Sequence, residues 1–183
     1  RMTWIKPSFA WVLYRAGYGH KHNQERILKV KLPHAAIAEL LSQCHCKHGG
    51  GGTDGRVQWD PARDLMSGEG REPRMMQRRR AIQIGLKGKL SEQYVASTIS
   101  IQDVTELSHK VGAAHAIKDN TAQKEAMTAL APELPKERPY LPACSESALV
   151  ELGMMPGERA AQMASLGRGK APVKVGKRHH VKP

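Results

Sequence analysis

Residues 81–86 read Ala81-Ile82-Gln83-Ile84-Gly85-Leu86, with apolar side chains at alternate positions, which is the period of a half-buried strand. Gln83 falls between Ile82 and Ile84 and so projects onto the opposite face. If that face is covered, the amide needs hydrogen-bond partners, and a ligand can supply them. The alternative is an antiparallel strand with one wet face. Upstream, Arg56-Val57-Gln58-Trp59 makes a second short strand that runs into Asp60-Pro61, a turn-forming pair. The intervening residues 66–79 are polar and basic, show no period, and read as loop.

Further out, residues 4–17 read as a helix, with Pro7 in its first turn and Gly17 as its stop. Arg26 to Leu32 alternates like a strand, and Pro33 opens a helix that ends near Cys44. Four consecutive glycines, Gly49 to Gly52, mark His48–Gly55 as a loop. Past Leu86, a helix from Ser91 to about Ala96 is followed by strand-like Ile99 and Ile101. A helix capped by Asp103 or Thr105 and running to about His115 comes next, then helices over Thr121–Leu130 and from Ser145 to Gly153. This irregular alternation predicts an α+β fold: one domain over 1–154, with a small mixed or antiparallel sheet flanked by helices. Residues 155–183 read as a disordered, basic, Gly/Pro/Ala-rich tail.

The net charge is +12, and its location says more than its size. From 156 to 183, seven basic residues face Glu158 alone, and from Arg71 to Lys89 another seven face Glu72 alone. Five of the eight aromatic residues, Trp4, Phe9, Trp11, Tyr14 and Tyr18, lie in the first 18 positions, which predicts that this segment packs at the centre of the fold. No apolar run approaches the ~20 residues of a membrane span, and no stretch reads as a signal peptide. Three cysteines, two of them nearly adjacent, point to a reducing, cytoplasmic compartment.

Several short segments occur together in a set order. They are Met2 to Phe9, Trp11 to Gly17, Gln24 to Leu28, Val57 to Pro61, Ala81 to Leu86, Ile101 to Thr105, and Glu137-Arg138-Pro139-Tyr140. In this series the chain resembles the domain of unknown function family numbered 4291, over about residues 1–154. The resemblance implies a soluble protein and brings no activity with it. It also implies a strand region before Met2, so that a chain starting at Arg1 is expected to lack an edge of the fold. Ala62 stands where the family often has Glu, and the glycine run and the basic tail look peculiar to this chain.

The candidate site residues fall into four groups. Lys6 and Ser8 at a helix start, with Arg15 two turns along, suit an anion; the alternative is a serine cap beside solvated cations. Gln58, Trp59, Asp60 and Arg63, joined by Gln24, Glu25, Arg80 and Gln83, have the make-up of a small-molecule pocket. Arg74, Arg78, Arg79, Lys87 and Lys89 can neutralise nucleic-acid phosphates without reading sequence, although no aromatic residue interleaves with them. Cys44, Cys46 and His48, with His45 between, lack the spacing and the second ligand pair of a structural zinc site, as does the His179-His180 pair; no native metal site is expected. No nucleotide-binding glycine fingerprint, nucleophile elbow or metalloprotease signature occurs.

Two function classes follow. One is a pocket for a nucleotide-like or other anionic ligand; NAD-dependent ADP-ribosyl transfer is one version of it, with Glu25 as the carboxylate nominated for catalysis. The other is a non-enzymatic binder of nucleic acid or an acidic partner, built on the 71–89 segment and the tail.

Overall fold

A computed structural model describes residues 2–46 and 54–154. The fold is α+β, built on a four-stranded mixed sheet. Strand β1 (Thr3–Ile5) pairs antiparallel with β5 (Glu72–Leu86), β5 antiparallel with β4 (Gly55–Glu69), and β4 parallel with β3 (Cys44–Cys46), giving the order β1-β5-β4-β3. A separate antiparallel ribbon joins β2 (Leu28–Lys31) to β6 (Ser100–Asp103). The helices are α1 (Phe9–Ala16), α2 (His34–Ser42), α3 (Gly88–Ala96), α4 (Thr105–His115), α5 (Asn120–Leu130) and α6 (Glu146–Glu151).

The alternation read in residues 81–86 divides the sheet into two faces. Val57 on β4 and Ile84 and Leu86 on β5 pack with Leu40, Leu41, Leu90 and Leu152 into one core. On the far side, Phe9 and Leu13 of α1 join Ile27, Val111, Met127 and Leu134 in a second core. Helix α1 packs against β4 and β5.

Three expectations are corrected. Residues 66–79 are not a loop: β4 and β5 form one long hairpin, closed by Gly70 and Arg71 between the paired Glu69 and Glu72. Gly70 takes a left-handed φ of 64°, which glycine adopts without strain. The period was hidden because the ladder slips twice, between Pro61 and Ala62 and between Arg63 and Gly68; each slip resets which residues share a face. Asp60-Pro61 is accordingly not a turn but the edge of the first slip, a position that suits a residue without an N–H. The first helix begins at Phe9 rather than residue 4, because Ser8 is extended (φ −83°, ψ 119°) and caps it, while Thr3–Ile5 joins the sheet. Gly17 does end it, in the left-handed conformation at φ 53°. The helix opened by Pro33 is also found, and a strand, β3, follows it. The glycine run, His48, the histidine pair and the basic tail lie outside the described residues.

Candidate functional site

The site begins with the sheet face that carries Gln83. Gln58 lies directly opposite it on β4, with Asp60 two residues further along the same face. The Gln83 amide nitrogen donates both to Gln58 Oε1, at 2.9 Å, and to Asp60 Oδ2, at 2.7 Å. These half-buried side chains form the floor of a cleft of about 500 Å³ between the sheet and α1. On β1, Trp4 pairs with Gly85, and a methyl group at Gly85 would come within 2.9 Å of the Trp4 ring. The missing side chain at Gly85 therefore lets the indole lie against the sheet. Lys6, two residues on, shares that face.

Helix α1 supplies the opposite wall. Trp11, Tyr14 and Arg15 are spaced i, i+3 and i+4 and so share one side of the helix. The Trp11 and Tyr14 rings meet edge to face at 6.0 Å. Two cations lie over Trp11: Lys6 Nζ at 5.4 Å and the Arg15 guanidinium at 6.0 Å from the ring centroid. Neither has an ion pair within 4 Å among the described residues. Burial, and then repulsion by Arg15, holds the Lys6 ammonium below its ordinary pKa, with Asp60 opposing both.

Of the expected ligand-binding residues, Lys6, Arg15, Gln58, Asp60 and Gln83 come together in this cleft. Arg63 lies behind it: its guanidinium stacks on Tyr14 at 3.5 Å and donates to Pro73 O at 3.2 Å, tying the hairpin to α1. Ser8 is committed elsewhere. It caps α1 and donates to Glu137 Oε1, and that same oxygen accepts from Phe9 N at 2.6 Å. The anion at this helix N-terminus is the protein's own carboxylate, which fills the position expected for a ligand. Gln24 and Glu25 are exposed and line no part of the cleft; Glu25 Oε1 accepts from Asn23 N at 2.9 Å. Arg80 is exposed opposite Pro61. Trp59 is on the other face, donating to Leu152 O at 2.7 Å.

The basic run from 71 to 89 is divided by the hairpin. Arg78 and Arg79, with Gln77, fall in the first slip of the ladder and oppose no β4 residue. Arg74 is paired with Asp64 at 2.9 Å. Lys87 and Lys89 stand past the other end of β5, eight or more residues from Arg79, or roughly 26 Å along an extended strand.

Cys44 Sγ and Cys144 Sγ donate to carbonyls of α2, those of Leu40 and Ala38. Among the described residues no three potential ligands gather as a metal ion would need. The sequence reading missed the aromatic lining of Trp4, Trp11 and Tyr14. Their crowding near the N-terminus and the helical spacing of the last two were the available signals. It also missed a buried pair, Tyr18 and His115, which carries no local pattern.

Together these features define an α+β domain whose central sheet and first helix enclose a cationic, aromatic cleft. Residues 1–140 match the family model described as a domain of unknown function, DUF4291, and the chain belongs to that family. No curated protein and no solved structure matches the chain. Among the described residues no helix is long and apolar enough to cross a membrane.

Proposed function

We propose that the cleft binds a small nucleotide-like anion, a planar ring carrying a phosphate or carboxylate. One observation carries this: Lys6 and Arg15, two like charges without an ion-pair partner among the described residues, both line the cleft and both lie within about 6 Å of the centre of the Trp11 ring. Burial first, and then repulsion by Arg15, disfavours the charged form of Lys6, and a bound anion would offset both. Trp4, the exposed ring of the lining, offers flat apolar surface to a ligand ring, and the amide–carboxylate floor offers it hydrogen bonds. The volume, about 500 Å³, lies within the usual range for small-molecule sites.

The ADP-ribosyl-transfer version, with NAD as cofactor, needs a carboxylate beside the reacting sugar. Glu25 stands outside the lining and Asp60 is the carboxylate within it, so the reading favoured is a binding cleft with no reaction assigned.

The test is a thermal-shift panel with NAD, ATP, GTP and nucleoside monophosphates on the full chain and on Lys6→Ala and Arg15→Ala. A ligand at a hundred times its dissociation constant stabilises the folded state by about 2.7 kcal/mol. At least one nucleotide should shift the wild type, and each variant should weaken that ligand about tenfold or more through loss of a charge-assisted bond. No shift with any member of the panel would rule the reading out.

A second reading, binding to nucleic acid, rests on the slip in β5 that leaves Arg78 and Arg79 without a cross-strand neighbour, exposed beside Arg80. Such contacts would be phosphate-directed, sequence-blind and steeply weakened by salt.

A further inference from the structure

Lys6 and Lys110 show two opposite fates for a lysine in this fold. Lys110 lies between two carboxylates, Glu133 at 3.5 Å and Glu106 at 3.4 Å, which hold its proton on and raise its pKa. Lys6 is half-buried, has no carboxylate within 4 Å among the described residues, and shares the cleft lining with Arg15. Burial and then the Arg15 charge draw its pKa down, and Asp60 on the floor opposes them only in part. A lysine amine is a nucleophile only once it has lost its proton, and burial or a neighbouring cation is what brings that loss toward neutral pH. The cleft, at about 500 Å³, leaves room beside it for a small molecule.

From this arrangement, and resting on the anion-cleft reading above, we infer that Lys6 is a nucleophile and that it captures an anion carrying an aldehyde or ketone. Arg15 takes the phosphate or carboxylate, because a guanidinium stays protonated and suits such groups, and Lys6 is left for the carbonyl. The neutral amine attacks the carbonyl carbon: a C–N bond forms, and the π electrons of the carbonyl pass to its oxygen. The nitrogen gives up a proton to solvent and the oxygen takes protons from it. The nitrogen lone pair then expels the oxygen as water, and a C=N bond remains. Amine and carbonyl become imine and water, with nothing oxidised or reduced. The step is reversible covalent binding, and it uses the one cation of the pair that can lose its charge.

The experiment incubates the full chain with pyridoxal phosphate, and separately with pyridoxal, near neutral pH in the presence of cyanoborohydride. The reduced adducts are then located by peptide mass spectrometry. Lys6 should be labelled about tenfold faster or more than Lys110, since one unit of pKa is tenfold in the neutral fraction. The phosphate compound should react faster than pyridoxal, and in Arg15→Ala that preference should vanish while Lys6 is still labelled. Labelling of Lys6 should level off at a lower pH than that of Lys110, because burial and Arg15 on α1 outweigh Asp60 on β4. Lys6→Arg, which keeps a cation, should retain nucleotide binding and lose the adduct. Labelling spread evenly over the lysines, or absent from Lys6, overturns the nucleophile; if nucleotides still raise the melting temperature, the anion cleft stands without it. Equal rates for the two compounds in the wild type overturn the selection of an anion. No labelling at Lys6 together with no nucleotide shift removes the cleft reading and this inference with it.

Discussion

At the residue scale, the feature with the clearest energetic consequence is the pair formed by His115 and Tyr18. His115 is 1% exposed, and its ring is held at both nitrogens. Nδ1 accepts from the Tyr18 hydroxyl at 2.9 Å, and Nε2 donates to the Leu65 carbonyl at 3.2 Å, a pattern that fixes the neutral tautomer. Tyr18 itself sits at a left-handed φ of 59°, and α4 approaches it closely because Gly112 has no side chain. Burial pushes the His115 pKa below its ordinary 6.5, against the Leu65 carbonyl and the Asp64 charge, which raise it. The unfolded chain therefore takes up a proton near pH 6.5 that the folded chain refuses. Stability from this group is full above pH 6.5 and falls as pH drops toward the lowered folded value. Urea titrations from about pH 7.5 down to about 5.5 should show a decline that His115→Gln reduces; parallel curves for the two proteins would exclude this role. Tyr18→Phe, which leaves Nδ1 without its donor, should cost about 1–3 kcal/mol at neutral pH.

At the scale of elements, two contacts hold the cleft's walls. Helix α1 is closed at its start by Glu137, some 128 positions away, on Phe9 N. Glu137→Ala should cost about 1 kcal/mol, as a lost cap does, and denaturation of the variant checks this. An unchanged midpoint would mean that Ser8 alone suffices. Strand β1 lies against β5 because Gly85 yields its space to Trp4. Gly85→Val should displace the indole and weaken any cleft ligand while the far core, which does not include Gly85, stays folded. Retained affinity in a folded variant would show that Trp4 is not a ligand wall. These elements were legible to different degrees. Period 2 gave Ala81–Leu86 and placed Gln83 on its own face, and Gly17 marked the end of α1. The outer half of the hairpin was not readable: two ladder slips scramble its period, and its poor strand residues are held by packing on α4 and α5, where Gly68 N donates to Gln123.

For the whole molecule, the sheet has a core on each side, and the cleft opens where α1 crosses a polar strip instead of an apolar one. The two functional readings use different parts of the chain and so separate cleanly. Removing residues 156–183, which carry seven basic residues against one acidic, should leave nucleotide affinity in the cleft unchanged. It should also reduce the salt slope of any nucleic-acid binding. A truncated chain with full affinity for RNA at low salt would assign that binding to the hairpin arginines instead.

By itself the sequence determined the α+β class, most helix positions and the family series, because caps, glycine stops and hydrophobic periods are local and act within a few residues. It also nominated Lys6, Arg15, Gln58, Asp60 and Gln83, since polar residues set into apolar patterns stand out without any fold. Only the tertiary structure decided which nominations share a cleft. Ser8 went to Glu137 and Arg63 went behind Tyr14. The basic run of 71–89 was drawn out along one strand, with its two ends apart. Those outcomes depend on strand register and on contacts between residues far apart in the chain, and no local pattern encodes either.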